Sequence, residues 1–549
     1  MIALLHALAC TPSVPTEPAE APTELHLHEW TPVADRDARL EPLDAPRLLR
    51  RMSLDLRGVL PAAEELDAVE ADASLLSSYR DAYLDDPRFE GRLVDVLGER
   101  WLTEVDEYLI DWREFPGLYG HSELEYQWER GVGEEPLRLM ARIAAEDRPW
   151  TEIVTADTTM ADEVLALTWP VTWTPGDTGW HEVSYTDGRP AAGVLATNGL
   201  WWRYYTTFTN YNRMRVGAIA RLLVCVDYLS RPVSFTGAVS LGDSDGIEDA
   251  LSTNPGCQGC HSALDPVAAS LFGFWTPQEY NSTETTTYHP ERELIGEALL
   301  GVTPAWYGDP LSGLADLGNH VAADPRFARC TAESVAEMYW RRELTVDDFE
   351  RVETLRRAYV GTGRLKDVIA AATESAVYRA GTQTDGGAEE PTARLLDATL
   401  LKSVMADLVG FRWEYRGYDQ LGNDTYGYRI LGGGVDGAYV TRAQREPGLT
   451  WERVIARVAE AVGTQVVAND LHGGAPLLLD LGGPQPDEPA FATQLRALRW
   501  RLLAERATDE QIADDASLWY EAGGDAGDID TAWAAVLQAL LRDPAFVSY

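Results

Sequence analysis

Between Asp44 and Leu102 apolar residues return every three or four positions: Leu48, Leu49 and Met52, then Leu66 and Val69, then Phe89, Leu93, Val96 and Leu97. That spacing is the period of helices burying one face, and Pro61 suits the first turn of the helix that runs through Leu66. The same signature recurs from Met214 to Leu229, where Ile219, Leu222, Leu223 and Val226 line up, and again at Phe349 to Tyr359 and Val368 to Tyr378. Four further runs lie beyond residue 390: Leu395 to Val409, Trp451 to Val462, Phe491 to Arg506 and Asp530 to Arg542. The pattern predicts a mainly α, multidomain helical protein.

Punctuation between these runs divides the chain. Gly381 to Glu390 is polar and Gly-rich, which marks a linker. A helical N-terminal domain is expected over 30–150, a second helical domain over 151–380, and a helical C-terminal domain of unassigned role over 391–549. The last carries an irregular Tyr- and Gly-rich insert, Tyr415 to Tyr439. Its Gly432-Gly433-Gly434 run has neither the GxGxxG spacing nor a preceding strand, so it predicts a turn rather than a nucleotide loop. Thr168 to Tyr211 holds ten aromatics, among them Trp169, Trp173, Trp180, Trp201 and Trp202. Aromatics at that density suit core packing first, and a haem crevice or a sugar-binding groove second.

Composition narrows the function classes. A chain of 549 residues exceeds one hydrophobic core. Its 46 basic and 88 acidic side chains leave a net charge of -42, which repels nucleic acid and anionic lipid headgroups. Met1 to Ala9 is a short apolar run ending in Ala7-Leu8-Ala9-Cys10, followed by a Pro-, Thr- and Glu-rich stretch. This resembles the end of a bacterial lipoprotein signal, without its basic n-region, in which Cys10 is acylated and residues up to 29 form a disordered tether. The expected location is the periplasm or cell surface, as an outer-membrane lipoprotein.

One motif carries specific chemistry. In Cys257-Gln258-Gly259-Cys260-His261 the spacing is that of c-type haem attachment, in which two thiols bond the vinyl groups and the histidine ligates iron. With five cysteines and nine histidines in the chain, chance produces this arrangement with a probability on the order of 10⁻³. The preceding Ser252-Thr253-Asn254-Pro255-Gly256 predicts a turn, so the motif is placed on a turn and not in the βαβ unit of a thioredoxin-like pair. A structural zinc site lacks a second ligand pair nearby. For the sixth iron position His289, His320 and Met338 lie downstream, and the sequence does not choose among them. If Cys10 carries lipid and Cys257 and Cys260 carry haem, Cys225 and Cys330 remain as a candidate disulfide or as two separate buried thiols.

The wording around this motif resembles that of the planctomycete-type cytochrome c domain proteins, which also occur in myxobacteria and are mostly uncharacterised. The likeness begins with Arg50-Arg51-Met52-Ser53-Leu54-Asp55-Leu56-Arg57-Gly58 and Asp86-Pro87-Arg88-Phe89. It continues through Gly193-Val194-Leu195-Ala196, Asn212-Arg213, Leu264-Asp265-Pro266 and Phe272-Gly273-Phe274, and ends in a helical segment opened by Asp324-Pro325-Arg326-Phe327. It spans roughly Arg47 to Tyr378, with departures at Ala268 and at Tyr339-Trp340-Arg341-Arg342-Glu343. The resemblance implies one haem c; an electron carrier rather than a catalyst is the leading expectation, and the acidic excess favours a redox partner whose docking surface is basic. A polymer-binding or polymer-degrading surface protein built around the tryptophans is the alternative expectation, and a haem peroxidase a third.

Overall fold

The computed structural model describes residues 32–108, 110–231, 244–275, 282–383, 393–480 and 483–549. Cys10 lies outside them. About 60% of the described residues are helical and 5% are strand, so the fold is mainly α as the periodicity predicts. The strands among the described residues form antiparallel pairs, each a two-stranded ribbon.

The helix Ala45–Arg57 shows how local sequence sets the architecture. The Asp44 carboxylate accepts from the Arg47 amide at 3.0 Å, Pro46 fits the first turn, and Gly58 ends the helix at φ 72°. Its Leu48, Leu49, Met52 and Leu56 enter the main core, whereas Leu54 enters a second core. The main core draws on residues from Leu48 to Tyr378 without a break near 150, and Trp500 and Ala504 join it from the C-terminal part. The division expected at residue 150 is therefore not a division of the core. The helix Glu125–Ala145 bridges it, giving Leu137, Leu139 and Met140 to the main core and Trp128 and Val132 to a small aromatic cluster.

The second core belongs to 395–549, where the helix Leu449–Asp470 packs along Ile529–Leu540. Its boundary falls close to the expected linker, with one difference. Gly381 to Gln383 complete a strand, Ala380–Gln383, that pairs antiparallel with Leu40–Pro42. Those three residues tie the two ends of the first unit together instead of linking it to the next.

Buried charge joins the two cores. Asp55 bonds the Arg394 guanidinium and accepts from the Tyr549 hydroxyl at 2.8 Å. The neighbouring Arg51 donates to the carbonyls of Tyr378, Ala380 and Tyr549 at 2.6, 2.8 and 3.2 Å. The tryptophan-rich segment is partly core: Trp169 and Trp201 are buried, Trp173, Trp180 and Trp202 are half-buried, and the Trp202 ring packs 5.1 Å from Trp169 and 5.9 Å from Trp128. No described helix is long and apolar enough to cross a membrane.

Candidate haem attachment site

Asn254, Pro255 and Gly256 do not form a free turn; they open a helix, Pro255–Ala269, that carries the whole motif. Asn254 caps it by accepting from the Gly256 amide at 3.0 Å, and Pro255 occupies the first helical position, where its missing N–H costs nothing. The expectation that the motif sits on a turn is corrected accordingly. The element before it is another helix, Ser244–Thr253, so among the described residues no strand leads directly into the motif helix.

Helical geometry then orders the motif. Positions i, i+3 and i+4 share one face, which places Cys257, Cys260 and His261 side by side. Both thiols are free and half-buried. One turn on, Asp265 lies beneath the histidine, with its Oδ1 3.1 Å from His261 Nδ1. The same carboxylate receives a bidentate grip from Arg213, Nε at 2.7 Å and Nη2 at 3.0 Å. Burial opposes ionisation of Asp265, but the hydrogen bonds from His261 and Arg213 outweigh it and hold the carboxyl below its ordinary range. An ionised carboxylate only accepts hydrogen bonds, so the neutral imidazole carries its proton on Nδ1 and keeps the Nε2 lone pair available.

Arg213 is delivered by the first residue of the helix Arg213–Leu223, which packs on the motif helix. Asn212 precedes it in the left-handed region at φ 66° and donates to the Ala268 carbonyl at 3.4 Å. Arg215 donates to the carbonyls of Tyr204 and Phe274, both at 3.1 Å. Leu264, Val267 and Ala268, on the same side of the motif helix as the thiols, sit in the main core, and Cys260 packs against it. A Cβ placed at Gly259, which lies on the other side of the helix from Cys257 and His261, or at Gly217 on the helix Arg213–Leu223 would meet nothing within 4 Å. Two free thiols and a histidine whose Nε2 has no partner among the described residues are the groups that a covalently attached haem requires.

The residues suggested for the sixth iron position are not gathered here. His289 has both ring nitrogens engaged, Nδ1 with Glu291 at 3.2 Å and Nε2 with the Glu284 carbonyl at 3.0 Å. His320 lies on the helix Leu314–Ala323 with Nε2 3.8 Å from Asp316. Met338 lines a small cavity with Arg100, Leu222 and Ser334, in which none of the motif residues takes part. The elements packed most closely on the motif helix hold one His or Met side chain, Met214, which is 37% exposed. Sequence reasoning passed over Met214; the signal was its position next to Arg213.

Cys225 and Cys330 form a disulfide, with Cα atoms 5.1 Å apart. Cys225 sits just past the end of Arg213–Leu223 with φ 51°, so the helix stops short of the Leu229 that periodicity suggests. Among the described residues no three His, Cys, Asp or Glu side chains converge as a donor set for a metal ion. Compared with family models, curated proteins and solved structures, the chain matches none of them.

Proposed function

We propose that this protein is a monohaem c-type electron carrier, with haem bonded through Cys257 and Cys260 and its iron ligated by His261. The observation that carries the reading is the single helix face on which two free thiols stand beside a histidine whose Nδ1 is held and whose Nε2 is uncommitted. A bare ion would find too few donors here, whereas a haem iron arrives with four ring nitrogens and asks the chain for one axial ligand. Bound haem would supply a one-electron couple. The chain's own contribution would be to fix the ligand and to hold the attachment face against the main core through Leu264 and Val267.

We propose further that the protein is exported and held at the membrane through a lipid on Cys10, as the N-terminal wording suggests. Its net charge of -42 would favour a basic redox partner and an association rate that falls with salt. Burial of Trp169 and Trp201 supports core packing for those two rings; the polymer-binding alternative would rest on the half-buried Trp173, Trp180 and Trp202.

The test is expression in a periplasm with c-type maturation machinery, followed by absorbance spectra with and without dithionite and a pyridine haemochrome assay on the denatured chain. One covalent haem per chain is expected, lost in Cys260→Ala, and retained with an altered spectrum in His261→Ala. A colourless wild-type protein, or full haem retention in Cys260→Ala, would overturn the assignment.

A further inference from the structure

We infer that Asp265 and Arg213 act as a positioning and tuning pair for His261, setting how strongly its Nε2 donates to iron; this rests on the haem reading above. The inference starts from a shared carboxylate. Asp265 accepts from His261 Nδ1 on its own helix and from two nitrogens of Arg213 on the facing one. An Arg–Asp pair on an open surface contributes little. Here the side chains of Asp265 and Arg213 are only 13% and 16% exposed, and the pair has a third member whose chemistry it alters.

Two effects follow from the geometry. The Nδ1–H to carboxylate bond fixes the ring rotation and the tautomer, so that the lone pair is on the nitrogen facing away from Asp265. It also places a negative charge against the imidazole, which raises its basicity and favours the more highly charged oxidised iron; partners of this kind commonly change metal-site properties by one or two orders of magnitude. Arg213 works in the opposite sense. Its guanidinium draws on the same two oxygens and moderates the charge that the histidine feels. The two residues therefore push the redox equilibrium in opposite directions, and the potential is set by their balance.

Arg213 is not an adventitious neighbour. The Asn212 left-handed turn, the Asn212 bond to Ala268 and the Asn210 side chain accepting from the Met214 amide at 2.8 Å fix the residue's place at the start of its helix. Asp265, in turn, is four residues from His261, the spacing that brings side chains one above the other on a helix.

The experiment measures the midpoint potential of the purified holoprotein by spectroelectrochemical titration for wild type, Asp265→Asn, Asp265→Glu and Arg213→Gln, with haem content checked first. Asp265→Asn should shift the equilibrium toward reduced haem by about tenfold, which is about 59 mV upward for a one-electron couple. Arg213→Gln should shift it the other way, and Asp265→Glu should return most of the wild-type value. A purely structural role would loosen the site in both variants and move the potential in one common direction, and that outcome overturns the inference. If the variants carry full haem at the wild-type potential, the inference fails while the haem assignment stands. If wild-type protein carries no haem, both fail together.

Discussion

The disulfide between Cys225 and Cys330 spans 105 positions of sequence, which makes its removal a sensitive probe of the fold. Cross-linking residues that far apart removes chain entropy from the unfolded state worth about 4.7 kcal/mol in the loop-closure model. Unfolding entropy is about 2.1 cal/mol/K per residue. If all 549 residues unfold together, losing the bridge should lower Tm by about 4 °C; if only the unit containing the main core unfolds, by about 7 °C. The variant to make is Cys225→Ala with Cys330→Ala. Cys330 is 1% exposed, and alanine avoids burying a new hydroxyl there. Differential scanning calorimetry of the variant, and of wild type with and without reductant, reads the shift directly. Non-reducing peptide mapping should recover the two segments as one cross-linked species. A variant that melts within about 1 °C of wild type would show that the bridge constrains nothing, and recovery of both thiols free would show that it does not form.

Two further outcomes follow from buried carboxylates. Glu135 is completely buried and accepts from Thr159 Oγ1, Trp169 Nε1 and the Gly199 amide at 2.9, 3.1 and 2.9 Å, and from the Tyr185 hydroxyl. Glu135→Ala strands these donors and should cost about 3 to 5 kcal/mol, read by chemical denaturation, whereas wild-type stability in the variant would mean that the donors find other partners. Glu129 is pushed up to about 8 by burial and by the like charges of Glu125, Asp106, Glu107 and Asp111. Between its ordinary value of 4.5 and 8 the folded state holds a proton that the unfolded state has released, so stability falls as pH rises through that window. Melting profiles at pH 5 to 9 should be flatter for Glu129→Gln than for wild type, and parallel profiles would refute the assignment.

Helices were legible wherever one face is buried: Leu48, Leu49 and Met52, and Ile219, Leu222 and Leu223, are all core residues at helical spacing. Periodicity overran at Val226 because it reads burial and not backbone direction, and the chain turns at Cys225 with φ 51°. The motif was legible as chemistry but not as geometry. Asn-Pro-Gly reads as a turn, yet the same three residues serve as cap and first turn of a helix once an apolar face such as Leu264 and Val267 follows. Asp265 was visible only as part of a familiar wording, although its i+4 spacing from His261 is a local signal once the helix is known. Arg213 was not legible as its partner, because 52 positions separate them and only helix packing brings them together. The aromatic density near Trp202 likewise allowed several readings, and burial favours packing for Trp169 and Trp201.

The guanidinium of Arg51 has a consequence for the order of events during synthesis. Its carbonyl acceptors lie 327, 329 and 498 residues downstream, and those of the adjacent Arg50, at Phe546 and Ser548, nearly as far. While the earlier parts of the chain emerge, the helix Ala45–Arg57 can bury neither charge with its acceptors in place, since unsolvated guanidinium groups are costly. It must wait for residues 546–549 before it docks fully. The helix Ala45–Arg57 is thus completed only when residues 498 positions downstream of Arg51 have joined it.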